Sequence, residues 1–212
     1  MKNLINVKLL KCNNISLVYV NNPKVACSSI KISILKDKRL IHDNKIYTDY
    51  SSVLDCAFFS VVRNPFDRAL SAYLNMVTVE TDIWMTTMKL YSDIQGVSYS
   101  NVFKPIPFSE FLEVLNVIAN SQPEKLNPHF RCQYFNLAPD VIKYQFIGRL
   151  DDMATVTSYL NEKGIQLESF TPHKTNAKNK TNEYYEDNEV QLACNIYGKD
   201  FDYFDFSKAL KK

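Results

Sequence analysis

Apolar positions along this chain follow two rhythms: short β-branched or aromatic runs, and longer stretches with helical spacing. Ser16-Leu-Val-Tyr-Val20 stops at Asn21-Asn22-Pro23, which predicts a strand ending in a turn. Beyond the turn, Ser28 can cap a helix to about Asp37, with Ile30, Ile34 and Leu35 on one face. The plan then repeats. Ala57–Val62 has the pattern of a buried strand, and Asn64-Pro65 supplies an N-cap followed by proline at the first helical position. Phe66, Leu70 and Tyr73 form one stripe of the helix that follows, to about Met76. Residues 80–107 are the least regular and are expected to form an inserted surface excursion, with some helix near Trp84–Leu90. Ser109 opens a helix to about Ala119, Tyr144–Gly148 reads as a strand, and Asp151 or Asp152 caps a helix to about Glu162. Thr171–Glu183 is polar and loop-like, and Glu186–Tyr197 returns to helix.

Strands alternating with helices predict an α/β fold: a parallel sheet flanked by helices, in a single domain over residues 1–212. In such sheets ligands bind at the C-terminal edge of the strands, so function is expected in Pro23–Ser29 and Arg63–Ser71. At 46% hydrophobic and 23% charged, the chain has the composition of a soluble globular protein. A net charge of +2 is too even for a nucleic-acid coat, which leaves room only for a local basic pocket. The apolar runs are too short for a membrane span, and Met1–Leu10 is too polar for a signal peptide. Cys12, Cys27, Cys56, Cys132 and Cys194 are odd in number with no close pair, as expected of reduced thiols in a cytosol. With no C-x-x-C and three scattered histidines, no metal is expected. Only five of the 25 basic residues are arginines, and Arg63 and Arg68 are two of them.

The first turn, Pro23-Lys24-Val25-Ala26-Cys27-Ser28-Ser29, brings a lysine and two hydroxyls to a helix N-terminus. Free amides and the positive dipole end make that position an anion cradle, and the small side chains let an anion approach the backbone. The plan is that of a nucleoside-triphosphate P-loop, but the two glycines are missing and the lysine precedes the helix start. In the second turn Arg63 leaves a strand end, while Arg68 and Ser71 share a helical face. A guanidinium, a hydroxyl and helix amides together suit a phosphate monoester. Two cradles on one sheet edge describe a ligand with two separate anionic groups.

These residues carry a resemblance. Val18-Tyr-Val-Asn-Asn-Pro-Lys-Val-Ala-Cys-Ser-Ser29 resembles the 5′-phosphosulfate loop of carbohydrate sulfotransferases, close to P-K-V-A-C-S/T-S/T. Phe59-Ser-Val-Val-Arg-Asn-Pro-Phe-Asp-Arg-Ala-Leu-Ser-Ala-Tyr73 resembles their 3′-phosphate motif, V-R-N/D-P-x-x-R-x-x-S-x-Y. Asn127-Pro-His-Phe-Arg-Cys-Gln133, Tyr144-Gln-Phe-Ile-Gly-Arg-Leu-Asp151 and Tyr197-Gly-Lys-Asp-Phe-Asp-Tyr-Phe204 are similar to later segments of the same family, in the same order. The likeness is to the HNK-1 and chondroitin 4-O type and their shorter bacterial cousins.

The resemblance implies the sulfotransferase fold and transfer of a sulfonyl group from 3′-phosphoadenosine 5′-phosphosulfate (PAPS) to a sugar hydroxyl, without a metal. Pro23–Ser29 would hold the phosphosulfate, Ser28 and Ser29 its oxygens, and Lys24 would neutralise the departing 5′-phosphate. Arg63 and Ser71 would hold the 3′-phosphate, while Arg68 either serves that phosphate or braces the helix. His129 is the first candidate for the base and His42 its rival; His173 lies in the polar loop and is expected to be solvated. Asp151 stands where relatives carry Glu, and neither the C-x-x-C nor the membrane anchor of animal members is present, which suggests a bacterial, cytoplasmic member acting on a membrane-associated or small glycan precursor. The competing readings are a nucleotide kinase or NTPase on a similar scaffold, and a nucleotide-binding module without catalysis.

Overall fold

Leu17–Val20 (β2) and Ala57–Val62 (β3) lie side by side and parallel, with Val18 opposite Phe58. In this computed structural model, which describes residues 7–79, 81–98, 105–170 and 175–210, they are the middle of a four-stranded sheet of order β1-β2-β3-β4. Tyr144–Arg149 (β4) runs parallel to β3, with Ser60 opposite Ile147. Leu9–Lys11 (β1) had no strand signal of its own and pairs antiparallel with β2, so the sheet is mostly rather than wholly parallel. Every residue of β2, and every residue of β3 beyond Ala57, is buried, as near-continuous apolar strands require.

The chain divides into two compact units, each made of two stretches of sequence. The first takes the described residues of 1–63 and 133–172 and holds the sheet, Cys27–Leu35 (α1), the short Gln133–Leu137 (α5) and Met153–Glu162 (α6). Its core packs Leu17, Tyr19, Phe59 and Val61 against Ile30 and Ile34 of α1 and Val156 and Leu160 of α6. Asp152 caps α6, accepting from the Thr155 N–H at 3.2 Å; Asp151 does not. Gly148 is there for contact: a Cβ would lie 2.5 Å from a Val156 methyl and 2.8 Å from the Phe146 ring.

The second unit takes the described residues of 64–132 and 173–212 and contains Pro65–Met76 (α2), Asp82–Gln95 (α3), Phe108–Ser121 (α4), Ala177–Tyr184 (α7) and Asp187–Tyr203 (α8). Its interior is aromatic. Phe66 meets Tyr185 and Phe201, Tyr73 meets Phe108 and Phe111, and Trp84 meets Phe111 and Phe130. The helix expected near Trp84–Leu90 is present and longer, the fourteen-residue α3, but its Trp84 is fully buried in this core rather than on the surface. The loop expected at 171–183 gives way to α7, whose Ala177 and Thr181 are the buried face; residues 171–174 lie outside the described residues. Helix α8 runs past the expected end at Tyr197, where the backbone leaves helical geometry (φ −110°, ψ 20°).

Candidate active site

The turn after β2 is built in an unusual backbone conformation. Lys24 (φ 71°) and Ala26 (φ 62°) are both left-handed, although neither is glycine. Ala26 is the N-cap of α1, and the first helical bond runs from Ile30 N–H to the Ala26 carbonyl. Ser28 is therefore not the cap expected from the sequence: the left-handed Ala26 starts the helix two residues earlier and leaves Ser28 in its first turn, half-exposed. The Ala26 methyl accepts nothing, and no side chain caps α1. The amides of Cys27, Ser28 and Ser29 thus lack an intrahelical partner at the positive end of the helix. Alternating left-handed residues ahead of such a terminus form the concave row of N–H groups that receives phosphate-like anions. Ser29 has another task. Its buried hydroxyl donates to the Phe170 carbonyl at 2.7 Å and accepts from the Phe170 N–H at 3.2 Å, tying α1 to that segment.

A buried amide network fixes the roots of both turns. Asn22, fully buried, donates through Nδ2 to the Val61 carbonyl and to Gln133 Oε1, each at 3.0 Å. Gln133, also fully buried, accepts from the Arg63 N–H at 2.9 Å and donates to the Arg63 carbonyl at 2.8 Å. Asn136 completes the set by donating to Asn22 Oδ1 at 3.3 Å. The Arg63 guanidinium then reaches back to the Lys24 carbonyl at 3.3 Å. The ends of β2 and β3, the lysine turn and Arg63 are in this way one hydrogen-bonded body. Asn22 and Asn136 carried no functional reading in the sequence, and Gln133 was only part of a motif; of the three, only Asn22, just past the end of β2, lies beside a strand along the chain.

In the second unit Asn64 caps α2 as expected, accepting from the Phe66 N–H at 2.9 Å. Arg68 is 1% exposed and donates to the Arg131 carbonyl at 2.8 Å and the Pro128 carbonyl at 2.7 Å. Of the two roles open to it, bracing is what this geometry provides, and what it braces is the 128–131 segment. Ser71 is buried on α2 and accepts from the Thr175 hydroxyl at 3.2 Å. His129 is half-buried, with Nδ1 2.7 Å from Asn127 Oδ1. Arg131, buried beside Arg68, has its pKa lowered by desolvation first and by the neighbouring positive charge second.

Residues 8–207 match the profile described as the Sulfotransferase family. The chain belongs to that family. The chain is also similar to carbohydrate sulfotransferase 14 of Danio rerio, with 28% identity over 174 residues, covering 69% of this chain and 45% of the relative. It therefore spans less than half the length of the curated relative it matches. No solved structure matches it. Of the remaining candidates, His42 is exposed between two short 3-10 turns, and Asp151 is exposed and paired with Arg149 at 3.4 Å. Glu183 is exposed on α7, and His173 lies outside the described residues. Among the described residues no group of three or more His, Cys, Asp or Glu is placed to hold a metal ion, all five cysteines are free, and no helix is long and apolar enough to cross a membrane.

Proposed function

We propose that this chain transfers a sulfonyl group from PAPS to a hydroxyl of a carbohydrate. The observation that carries the reading is the glycine-free turn at Lys24–Ala26, strained at two residues and opening on an uncapped helix. Strain of about 1–3 kcal/mol per such residue persists only where the surroundings enforce it, and here an arginine and a buried amide network do so. An anion that pairs with the amides of Cys27 to Ser29 and with Lys24 suits the phosphosulfate end of the donor. Arg63 and, eight residues on, Ser71 belong to the motif we assign to the 3′-phosphate. The similarity to carbohydrate sulfotransferase 14 of Danio rerio supports a carbohydrate acceptor. The free thiols suit a reducing, cytoplasmic setting.

The donor supplies an activated sulfonyl group; the chain's residues bind, orient and move one proton. As the acceptor oxygen bonds to sulfur, the bond from sulfur to the 5′-phosphate oxygen breaks and its electron pair leaves with that phosphate. Lys24 and the α1 amides stabilise the charge that grows there. The acceptor proton passes to His129, and the products are a sulfate ester and 3′,5′-ADP.

Radiolabelled PAPS incubated with a glycan panel tests the reading, run beside calorimetry with 3′,5′-ADP, 5′-AMP and ATP. Label in a glycan and preference for 3′,5′-ADP are expected. His129→Ala should lose about two to four orders of magnitude in turnover while still binding 3′,5′-ADP, and His42→Ala should stay active. Tight 3′,5′-ADP binding without transfer would indicate a binding module, and preference for ATP a kinase or NTPase.

A further inference from the structure

The contact between Asn127 and His129 settles which nitrogen of the imidazole carries the proton. Asn127 Oδ1 lies 3.1 Å from the His129 backbone nitrogen and 2.7 Å from its Nδ1. A backbone N–H only donates, so the atom facing it must be the amide oxygen, and the usual freedom to flip an asparagine is removed. An amide oxygen only accepts, so Nδ1 must carry a hydrogen. A neutral imidazole has one N–H, which puts its lone pair on Nε2.

We propose that Asn127 is a positioning residue for sulfonyl transfer: it holds His129 in the Nδ1–H tautomer, so that Nε2 takes the proton of the acceptor hydroxyl. This rests on His129 being the base. The proton that leaves the acceptor oxygen converts the ring to imidazolium, with the Nδ1–H bond to Asn127 kept throughout. The ring's root is held as firmly as its edge. The Phe130 and Arg131 amides donate to the Asn127 carbonyl at 2.9 and 3.0 Å, and Arg68 clamps the carbonyls of Pro128 and Arg131. A histidine side chain in water favours the opposite tautomer, with its hydrogen on Nε2, so without Asn127 the basic nitrogen would face the wrong way for most of the time.

Nitrogen NMR of imidazole-labelled full-length protein reads the tautomer directly. Only three histidines are present, and the His129 signals are those lost in His129→Ala. Wild type should show a protonated Nδ1 and an unprotonated Nε2. Asn127→Asp, which keeps an acceptor in place, should retain that pattern. Asn127→Ala should move the hydrogen toward Nε2 and lower kcat about ten- to a hundredfold at unchanged 3′,5′-ADP affinity. Should Asn127→Ala fail to fold, Asn127→Ser gives the same comparison, since its hydroxyl can still serve the backbone N–H but falls short of the ring. A wild-type Nε2–H pattern, or Asn127→Ala that keeps the Nδ1–H pattern or full kcat, overturns the proposal. If His129→Ala itself stays active, it is the base assignment that fails; the tautomer is still read from the spectrum, and the positioning role ends with the base.

Discussion

At the scale of single residues, the turn at Lys24–Ala26 separates backbone strain from chemistry. Ala26 is left-handed at the helix start, where a β-branched side chain would crowd its own backbone. Ala26→Val should destabilise the fold by about 1–3 kcal/mol in urea unfolding. Ala26→Gly should leave stability near that of wild type, since relief of strain and the extra freedom of the unfolded glycine are both of order 1 kcal/mol and opposed. A valine variant as stable as wild type would mean that the turn is not held left-handed. Lys24 and Arg63 should split kinetically. Lys24→Ala should lower kcat more than 3′,5′-ADP affinity, because charge on the leaving phosphate grows toward the transition state. Arg63→Ala should lower affinity about ten- to a hundredfold and erase the preference for 3′,5′-ADP over 5′-AMP, as loss of a charge-assisted bond does. Calorimetry and initial rates on the two variants check both, and a kcat effect confined to Arg63→Ala would reverse the roles.

At the scale of elements, the sheet ends are joined through one side chain. Gln133→Leu would strip a partner from the Arg63 N–H, the Arg63 carbonyl and the Asn22 amide together. Each orphaned buried group costs about 1–3 kcal/mol, so a loss above about 3 kcal/mol is expected in chemical unfolding, and a loss below 1 kcal/mol would contradict the network. That clamp also marks where sequence reading stops. Strands β2 and β3 and the Asn64-Pro65 start of α2 were legible because their burial is near-continuous or their caps are local, and β4 was legible from its short aromatic and β-branched run. Helix α7, and the length and burial of α3, were not. The buried face of α3 is Trp84, Thr87 and Ser92, that of α7 is Ala177 and Thr181, and small or polar residues write no apolar period. Thr181 is held instead by donating to Asp67 Oδ1 at 2.6 Å, a contact 114 residues away in sequence. At the candidate site, the motif residues were visible as local strings. Ala26 as the cap and Ser29 spent on Phe170 depend on backbone angles and a distant partner that no local string encodes.

At the scale of the whole molecule, both units bury weak acids. Desolvation pushes the Cys12 thiol up to about 12 and the Tyr47 phenol likewise to about 12, and raises Tyr19, Tyr185 and Tyr197 as well. For each, the folded pKa is the higher one. The stabilisation is complete below the unfolded value, 9.0 for Cys12, and is lost as pH climbs toward the folded one, because the unfolded chain releases its proton first. Urea midpoints should therefore hold near neutrality and fall above pH 9, and an unchanged midpoint there would contradict this burial. The two units also interleave along the chain: 64–132 separates the halves of the first, and 133–172 those of the second. Strand β4 pairs with β3 across the 81 residues from 63 to 143, so closing that loop precedes any reward from the pairing. On the ribosome, then, the emerging N-terminal strands must wait, with the β4-facing edge of β3 unpaired, until residue 149 has left the exit tunnel. The first unit cannot close until 133–172 has been made, so 64–132 of the second unit emerges before the first is complete, and the usual N-terminus-first order does not describe these two units.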